Sequence, residues 1–312
     1  MKPQLIKAAL LLSSIITPMM FSPSINASNE TELAQKNAPR PAKDQNWSFR
    51  LPKEDKIIYK GVVSFDQVGS GPGGMMYPAA GAAGFFAAVI THGVLAESAK
   101  NSQKTKLQQE ADRVLQSYQP VLDTYTAKEL MQEGLKRVTT GGDKKLIAST
   151  ESPGAEWMID STPVYSITQD ESAIILDNFI SIYVPDGPAT PVYQYTVRVV
   201  SQAKEGTDFA SAWTANNGEM LKAESANLYA TSLDIALNQA TGGATTDNVS
   251  HKTFRYLEGR AEKMERGQLI SERCGRVVMK TLRGWLMSIP TRKDATQSSP
   301  NGQCAEVVGG VK

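Results

Sequence analysis

The sequence predicts an α+β fold in which helices pack on one face of a largely antiparallel sheet. Several strand-like segments follow one another in the middle of the chain, helical segments precede and follow them, and no repeat occurs at the periods typical of solenoids. With 312 residues, of which 41% are hydrophobic, the chain has enough apolar material for a sizeable core. We predict a single domain at residues 57–290.

The N-terminal segment is predicted to direct export. Residues 1–27 combine Lys2 and Lys7 with an apolar stretch and a small, turn-prone end. This is the pattern of a secretory signal peptide, cleaved here after Ala27. We therefore expect a bacterial periplasmic or cell-envelope protein. Residues 28–56 follow as a polar linker with little periodicity.

The first part of the domain is predicted to be a strand followed by helices. Residues 57–65 are rich in β-branched and aromatic side chains, which favours a strand. After a glycine-rich loop, residues 79–118 are alanine-rich and then amphipathic, which predicts one long helix or two abutting helices. Thr126 and Glu129 have the spacing of a capping box, so a further short helix begins there.

The middle of the domain is predicted to be rich in strands. Short strands are expected at 146–150, 156–159 and 164–168, and clearer ones at 174–184 and 192–201. In the last of these, tyrosine and valine alternate with polar residues, which is the half-buried pattern of an antiparallel sheet. We expect the two clearer strands to form a hairpin.

The last part of the domain is predicted to be a helix, a strand and a second helix. Residues 218–239 carry leucine and isoleucine at a spacing of seven, and two glycines close this helix. Residues 251–258 are expected to form a strand. At 270–289 apolar residues recur at steps of three and four, which predicts the final helix. Residues 291–312 are expected to be a polar C-terminal tail.

The two cysteines predict a covalent link between this tail and the body. In an exported protein Cys274 and Cys304 are expected to form a disulfide. The alternative is a buried free thiol at Cys274 and an unpaired Cys304 in a disordered tail. Two cysteines and two histidines are too few ligands for a zinc centre made of these residue types.

A glycine-rich motif at 69–74 matches G-x-G-x-x-G, the spacing of dinucleotide-binding loops. Residues 75–78 delay the following helix, so its N-terminus would not lie beneath a phosphate. The acidic residue expected about 20 positions later would be Glu97, which lies within the predicted helix. We therefore predict no bound cofactor.

An uncharged run covers residues 68–96, and its helical part, 79–96, is just long enough to reach across a bilayer. Ala80, Gly84 and Ala88 form a smooth stripe on which another helix could pack closely. Three interpretations stay open for this segment: contact with a membrane, self-assembly into a homo-oligomer, and packing in the core.

A cluster of basic residues falls on the polar side of the predicted last helix. Arg273, Arg276, Lys280 and Arg283 would form a patch for an anionic membrane surface or an acidic envelope protein. The alternative is an ordinary docked helix with solvated charges. The formal net charge of the whole chain is only +1, so no global positive field indicates nucleic-acid binding.

The sequence contains no recognisable motif for nucleophilic or metal-assisted catalysis. We therefore predict a non-enzymatic envelope protein that binds a protein partner or the membrane surface. A second hypothesis is a secreted hydrolase that uses a pair of carboxylates, because seven acidic residues and no lysine or arginine occur at 151–186. A third is a self-assembling envelope component that associates through helix 79–96.

Overall fold

The computed structural model describes residues 39–63, 99–152, 154–243, 249–273, 275–291 and 307–308. Several predicted features lie outside these residues and stay predictions. They are the signal peptide 1–27, the glycine-rich loop 69–74, the stripe of Ala80, Gly84 and Ala88, and both Cys274 and Cys304.

The first half of the described chain contains short strands and several helices. Its elements are β1 (Trp47–Arg50), β2 (Ile58–Gly61), α1 (Ala99–Ala111), a 3-10 helix (Asp112–Tyr118), α2 (Gln119–Leu122), α3 (Ala127–Leu135) and β3 (Lys144–Ile147). Helix α3 begins as predicted, because the Thr126 side chain accepts a hydrogen bond from the Glu129 N–H at 3.1 Å. The predicted helix at 79–118 is helical over its described part, residues 99–118.

The second half contains the longest strands and one long helix. Its elements are β4 (Trp157–Ile167), β5 (Ile174–Tyr183), β6 (Tyr193–Val200), α4 (Phe209–Ala240), β7 (His251–Glu258), β8 (Ala261–Arg273), β9 (Arg276–Thr281), β10 (Leu286–Pro290) and β11 (Val307–Val308). The predicted hairpin of two clear strands is confirmed as β5 and β6, which pair antiparallel. The helix predicted at 218–239 is the second part of α4.

The strands form one mixed sheet. The strand order is β11-β8-β9-β10-β6-β5-β4-β1-β3, with β2 also beside β4 and β7 also beside β8. The pairs β1–β3, β1–β4, β2–β4 and β6–β10 are parallel, and the other pairs are antiparallel. The α+β class is therefore correct, although the sheet contains more parallel pairing than we predicted.

The main core lies between the sheet and helices α3 and α4. Trp47, Tyr165, Trp213, Tyr229 and Leu233 are completely buried in it. Two of the buried tyrosines make hydrogen bonds between α4 and the sheet: Tyr229 Oη lies 2.6 Å from the Ser161 hydroxyl, and Tyr165 donates to the Ser225 carbonyl. These bonds satisfy polar groups that would otherwise be costly to bury.

A second, smaller core lies on the other face of the sheet. It contains Ile175, Val200, Tyr256, Met279 and Met287, from β5, β6, β7, β9 and β10. Because neighbouring strand residues point to opposite faces, the inclusion of Ile174 and Val199 in the main core puts this cluster on the opposite side. The β7–β8 end of the sheet therefore curls over this face.

The tip of the β7–β8 hairpin is fixed to the body by Asp170, in the turn between β4 and β5. The Asp170 carboxylate accepts a hydrogen bond from the Arg260 N–H at 2.7 Å. The Arg260 guanidinium donates to the Gly206 carbonyl at 2.9 Å and lies over the Phe209 ring. These contacts hold the curled end of the sheet against the loop that leads into α4.

The predicted helix at 270–289 is wrong, because this segment forms the end of β8 and the strands β9 and β10. Gly275 and Gly284 have positive φ angles of 70° and 79°, and each lies at a turn between strands. Within β9, Val277, Met279 and Thr281 are buried and alternate with less buried residues, which is the period of a strand. Pairing with distant strands overrides the local helical spacing.

The segment predicted as a polar linker contains β1. Trp47 and Phe49 are completely buried in this strand. Strand β1 pairs with β3 on one side and with β4 on the other. A four-residue strand has too few residues for a clear alternating pattern, so its partners and not its own sequence define it.

Candidate functional site

The predicted basic patch does not lie on a helix. Arg273 ends β8 and is the cross-strand partner of Arg276, the first residue of β9. Lys280 lies near the other end of β9, and Arg283 lies in the turn that follows it. The four residues therefore fall into two pairs at opposite ends of β9, Arg273 with Arg276 and Lys280 with Arg283.

Arg276 has a structural role within the sheet. Its guanidinium donates to the Val200 carbonyl at 2.7 Å and to the Ser288 hydroxyl at 3.0 Å. Burial lowers the pKa of Arg276, since desolvation disfavours its charged form. The side chain joins β6, β9 and β10, so it does not form part of an exposed patch.

The structure brings together a different basic surface, on the outer side of the β7–β8 hairpin. Arg255 lies directly across from Met264, and Arg266 follows Met264 by two residues on the same side. The Leu282 N–H donates to the Arg266 carbonyl at 3.2 Å, so the turn after β9 adjoins this side. The exposed fractions of Met264 and Leu282 are 62% and 60%. We call Arg255, Met264, Arg266, Leu282 and Arg283 the hairpin surface.

Strand alternation explains why these side chains point outwards. Phe254, Tyr256 and Leu269 pack in or against the second core. Their neighbours along the strands therefore point to the opposite side of the hairpin. Arg255 is exposed for this reason, and so are Met264 and Arg266. The second core thus fixes the orientation of the hairpin surface.

The hairpin surface has an excess of positive charge. It contains three arginines, and one of them, Arg255, has its guanidinium 3.5 Å from the carboxylate of Glu262. This side chain of Arg255 is 66% exposed, so the ion pair contributes little to stability. Exposed apolar side chains next to arginines are typical of sites that bind phosphate-bearing surfaces.

Most of this surface was not predicted from the sequence. Strand β7 was predicted correctly, and alternation along it would have shown that the Arg255 side chain points to the opposite face from those of Phe254 and Tyr256. Strand β8 was not predicted. The turn at Gly259, where φ is 63°, was the signal that could have indicated a hairpin between residues 251 and 268.

The acidic segment 151–186 is used for ion pairs and turns. Asp160 forms a two-point ion pair with Arg50, with 2.8 Å between Oδ1 and Nε. Asp177 forms another with Arg198, at 2.6 and 2.7 Å. Both carboxylates are thus engaged by guanidinium groups on the face of the sheet opposite the main core.

Glu156, the residue just before β4, also has a cationic partner. It accepts a hydrogen bond from the Ser48 hydroxyl at 2.6 Å and pairs with Lys145 at 2.9 Å. These hydrogen bonds lower the pKa of Glu156, the one from Ser48 having the larger effect. A general acid in glycoside hydrolysis needs the opposite shift.

Two of the open grooves in the described part of the protein adjoin α3. One, of about 680 Å³, lies between α3 and β3. The other, of about 320 Å³, lies between α3 and the break in α4. In the second groove Glu129 lies 3.3 Å from Lys222, and in the same region Glu133 lies 2.6 Å from Lys136. Both of these carboxylates have cationic partners, and Glu219 also lines the second groove.

Among the described residues, no three histidine, cysteine or acidic side chains are grouped so that they could hold a metal ion. In the same part of the chain no helix has the length and apolar character needed to cross a membrane. No protein family, curated protein or solved structure matches the chain.

Proposed function

We propose that the protein is an exported, non-enzymatic cell-envelope protein that binds an anionic membrane surface through the hairpin surface. The proposal includes removal of the signal peptide after Ala27 and location in the periplasm or cell envelope. The observation that carries it is the exposure of Met264 and Leu282 beside three arginines.

The chemistry of the hairpin surface supports this proposal. Methionine and leucine each contribute roughly 1.5–3 kcal/mol when their exposed side chains are buried completely. Each arginine near an anionic lipid surface contributes about 1 kcal/mol more. Leu282 and Arg283 lie in a turn and Met264 lies on a hairpin, so these side chains can enter the headgroup region while the sheet stays outside it.

The engagement of the acidic residues supports a non-enzymatic role. Asp160, Asp177 and Glu156 each have a cationic partner, whereas a carboxylate pair for hydrolysis needs one member held protonated. Self-assembly through residues 79–96 stays a separate proposal. Its test is Gly84→Leu, which should lower the oligomer mass in light scattering without unfolding the monomer.

Vesicle flotation tests the proposed function. Purified protein, residues 28–312, is mixed with vesicles of phosphatidylethanolamine and phosphatidylglycerol, or with vesicles of phosphatidylcholine alone. We expect flotation with the first and not with the second. The double variant Met264→Asp and Leu282→Asp should stay at the bottom of the gradient, because each substitution replaces an apolar contact with a charge that anionic lipid repels.

The control variant adds the same charge elsewhere. Gln116 and Gln132 are exposed residues in the 3-10 helix and in α3, and their replacement by aspartate should leave flotation unchanged. Equal flotation of the hairpin double variant and the wild type would contradict the proposal. Binding to phosphatidylcholine as strong as binding to the anionic vesicles would contradict the role of the arginines.

A further inference from the structure

Three neighbouring strands place the residues of the hairpin surface in rows across the sheet. Strands β7 and β8 pair antiparallel, with Thr253 directly opposite Arg266. Strand β9 lies on the other side of β8, where the Leu282 N–H, just beyond the end of β9, donates to the Arg266 carbonyl at 3.2 Å. Arg266 therefore lies at the centre of the surface, with Thr253 on one side and Leu282 on the other.

The guanidinium groups of Arg255 and Arg266 belong to adjacent rows. Arg255 is the cross-strand partner of Met264, and Arg266 follows Met264 by two residues. Diagonal neighbours of this kind have backbones about 7–8 Å apart, which is within reach of long side chains. Arg255, Arg266 and Thr253 are all exposed, so two guanidinium groups and one hydroxyl can contact the same small ligand.

The positive charge of this arginine pair is not balanced within the described part of the chain. There the Arg266 guanidinium forms no ion pair and no hydrogen bond. Arg255 faces Glu262 at 3.5 Å, but the two side chains are 66% and 43% exposed, so water screens their attraction. Two arginines against one loosely held carboxylate leave a positive charge uncompensated, and the like charges repel each other. An anion between the arginines removes this repulsion.

A phosphate monoester matches this pair better than the phosphate diester of phosphatidylglycerol. At neutral pH a monoester carries a charge of about −1.5 to −2, and three of its oxygens accept hydrogen bonds. Each guanidinium presents a planar fork that binds two oxygens at once. Both arginines can therefore bind one monoester, whereas a diester has fewer free oxygens and a smaller charge to share between them.

Two apolar side chains beside the arginines favour a lipid over a soluble phosphate compound. Met264 and Leu282 are 62% and 60% exposed, and they lie next to Arg255 and Arg266 across the strands. A soluble phosphate compound would leave both apolar side chains in water. A lipid headgroup in a bilayer brings glycerol and acyl chains close enough to cover them.

We propose that the hairpin surface preferentially binds membrane lipids whose headgroup ends in a phosphate monoester. The phosphate lies between the guanidinium groups of Arg255 and Arg266 and accepts a further hydrogen bond from the Thr253 hydroxyl. Met264 and Leu282 enter the bilayer beside it. This inference rests on the proposed membrane binding and adds the class of lipid that the surface selects.

Flotation with two kinds of vesicle tests this preference. One kind contains phosphatidylethanolamine and phosphatidic acid, whose phosphate is a monoester, and the other contains phosphatidylethanolamine and phosphatidylglycerol. The two kinds are matched in zeta potential, so that they differ in headgroup chemistry and not in surface charge. We expect purified protein, residues 28–312, to bind the phosphatidic acid vesicles at least about fivefold more tightly.

A substitution that keeps the charge separates recognition of the monoester from simple attraction. Arg266→Lys replaces the planar fork with a single ammonium group, so the preference for phosphatidic acid should fall below about twofold. Arg113→Lys makes the same change at an exposed position in the 3-10 helix and should leave the preference at its wild-type value. Circular dichroism checks that both variants are folded.

Glycerol phosphate distinguishes a lipid from a soluble ligand, because it carries the same monoester without acyl chains. We expect it to bind at least about a hundredfold more weakly than the phosphatidic acid vesicles, since Met264 and Leu282 stay in water. Isothermal titration calorimetry measures both affinities.

Three results would overturn this inference. Equal affinity for the two kinds of vesicle would remove the preference, and an unchanged preference in Arg266→Lys would remove the role of the guanidinium fork. Binding of glycerol phosphate as tight as that of the vesicles would show that the ligand is soluble. Equal flotation with both kinds of vesicle leaves the proposed membrane binding intact, whereas failure to float with either kind contradicts both proposals.

Discussion

At the scale of single residues, Asp170 connects two distant parts of the sheet. Its carboxylate accepts hydrogen bonds from the Thr168 hydroxyl at 2.6 Å and from the N–H and hydroxyl of Ser172 at 3.2 and 3.0 Å. A further bond comes from Arg260, at the tip of the β7–β8 hairpin. Burial alone would raise the pKa of Asp170, but these bonds outweigh it and lower the pKa below the ordinary 3.8.

This shift predicts a pH-dependent contribution to stability. A carboxyl whose pKa is lower in the folded protein stabilises the fold fully above the unfolded pKa, and the contribution is lost as the pH falls through the folded pKa. The window therefore lies below the ordinary value of 3.8. We expect Asp170→Asn to lower the free energy of unfolding at neutral pH and to have a smaller effect near pH 3, measured by urea unfolding. Asp44→Asn, at an exposed position, controls for the change of charge, and an Asp170→Asn effect that is equal at both pH values would contradict the prediction.

At the scale of elements, helix α4 consists of two arms joined by a break. Asn216, Asn217 and Gly218 have positive φ angles of 51°, 56° and 75°, a backbone region that few residues adopt. The first arm buries Trp213, whose indole N–H donates to the Glu171 carbonyl at 2.7 Å. Gly218 packs against Val121, where an added Cβ would lie 2.3 Å from a methyl carbon.

The break predicts a specific requirement for glycine. Gly218→Ala should destabilise the protein by about 2–4 kcal/mol, because it combines left-handed backbone strain with a clash against Val121. Asn217→Gly is the matched control. It relieves strain at an exposed position and should stay within about 1 kcal/mol of the wild type. Urea unfolding measures both, and equal stability of the two variants would contradict the assignment of the break to Gly218.

Local sequence patterns correctly predicted the elements in which the local signals all indicate the same structure. The Thr126 cap, the second arm of α4 and the alternation in β6 belong to this group. The segment 270–289 does not belong to it, because the spacing of its apolar residues fits a helix as well as paired strands. Only the contacts of Val277 and Met279 with distant strands distinguish the two. The residues of the hairpin surface also depend on cross-strand register, which a single sequence does not contain.

At the scale of the whole molecule, the proposed membrane-binding surface lies at one end of the strand order. The β7–β8 hairpin lies at this end, and β3 is the outermost strand at the other. The sheet between them is a continuous hydrogen-bonded structure that fixes their separation. The hairpin surface therefore lies several strands away from the β3 edge.

Membrane binding through arginines predicts a strong dependence on salt. The screening length falls from about 10 Å at 0.1 M salt to about 3 Å at 1 M, so the affinity for anionic vesicles should fall as sodium chloride is added. The double variant Arg255→Gln and Arg266→Gln should bind more weakly, by about fivefold for each arginine, and should depend less on salt. Arg113→Gln, at an exposed ion pair in the 3-10 helix, is the control. A salt response identical in all three proteins would contradict the prediction.

The parallel pairing of β1 also affects how the molecule assembles. A ribosome releases Trp47 about a hundred residues before Lys144 and Trp157, the residues with which it pairs. A nascent chain therefore carries β1 without hydrogen-bonding neighbours until about half of the polypeptide has been made. Such long-range closure raises the contact order, so this first strand is expected to join the sheet late and to limit the rate of folding.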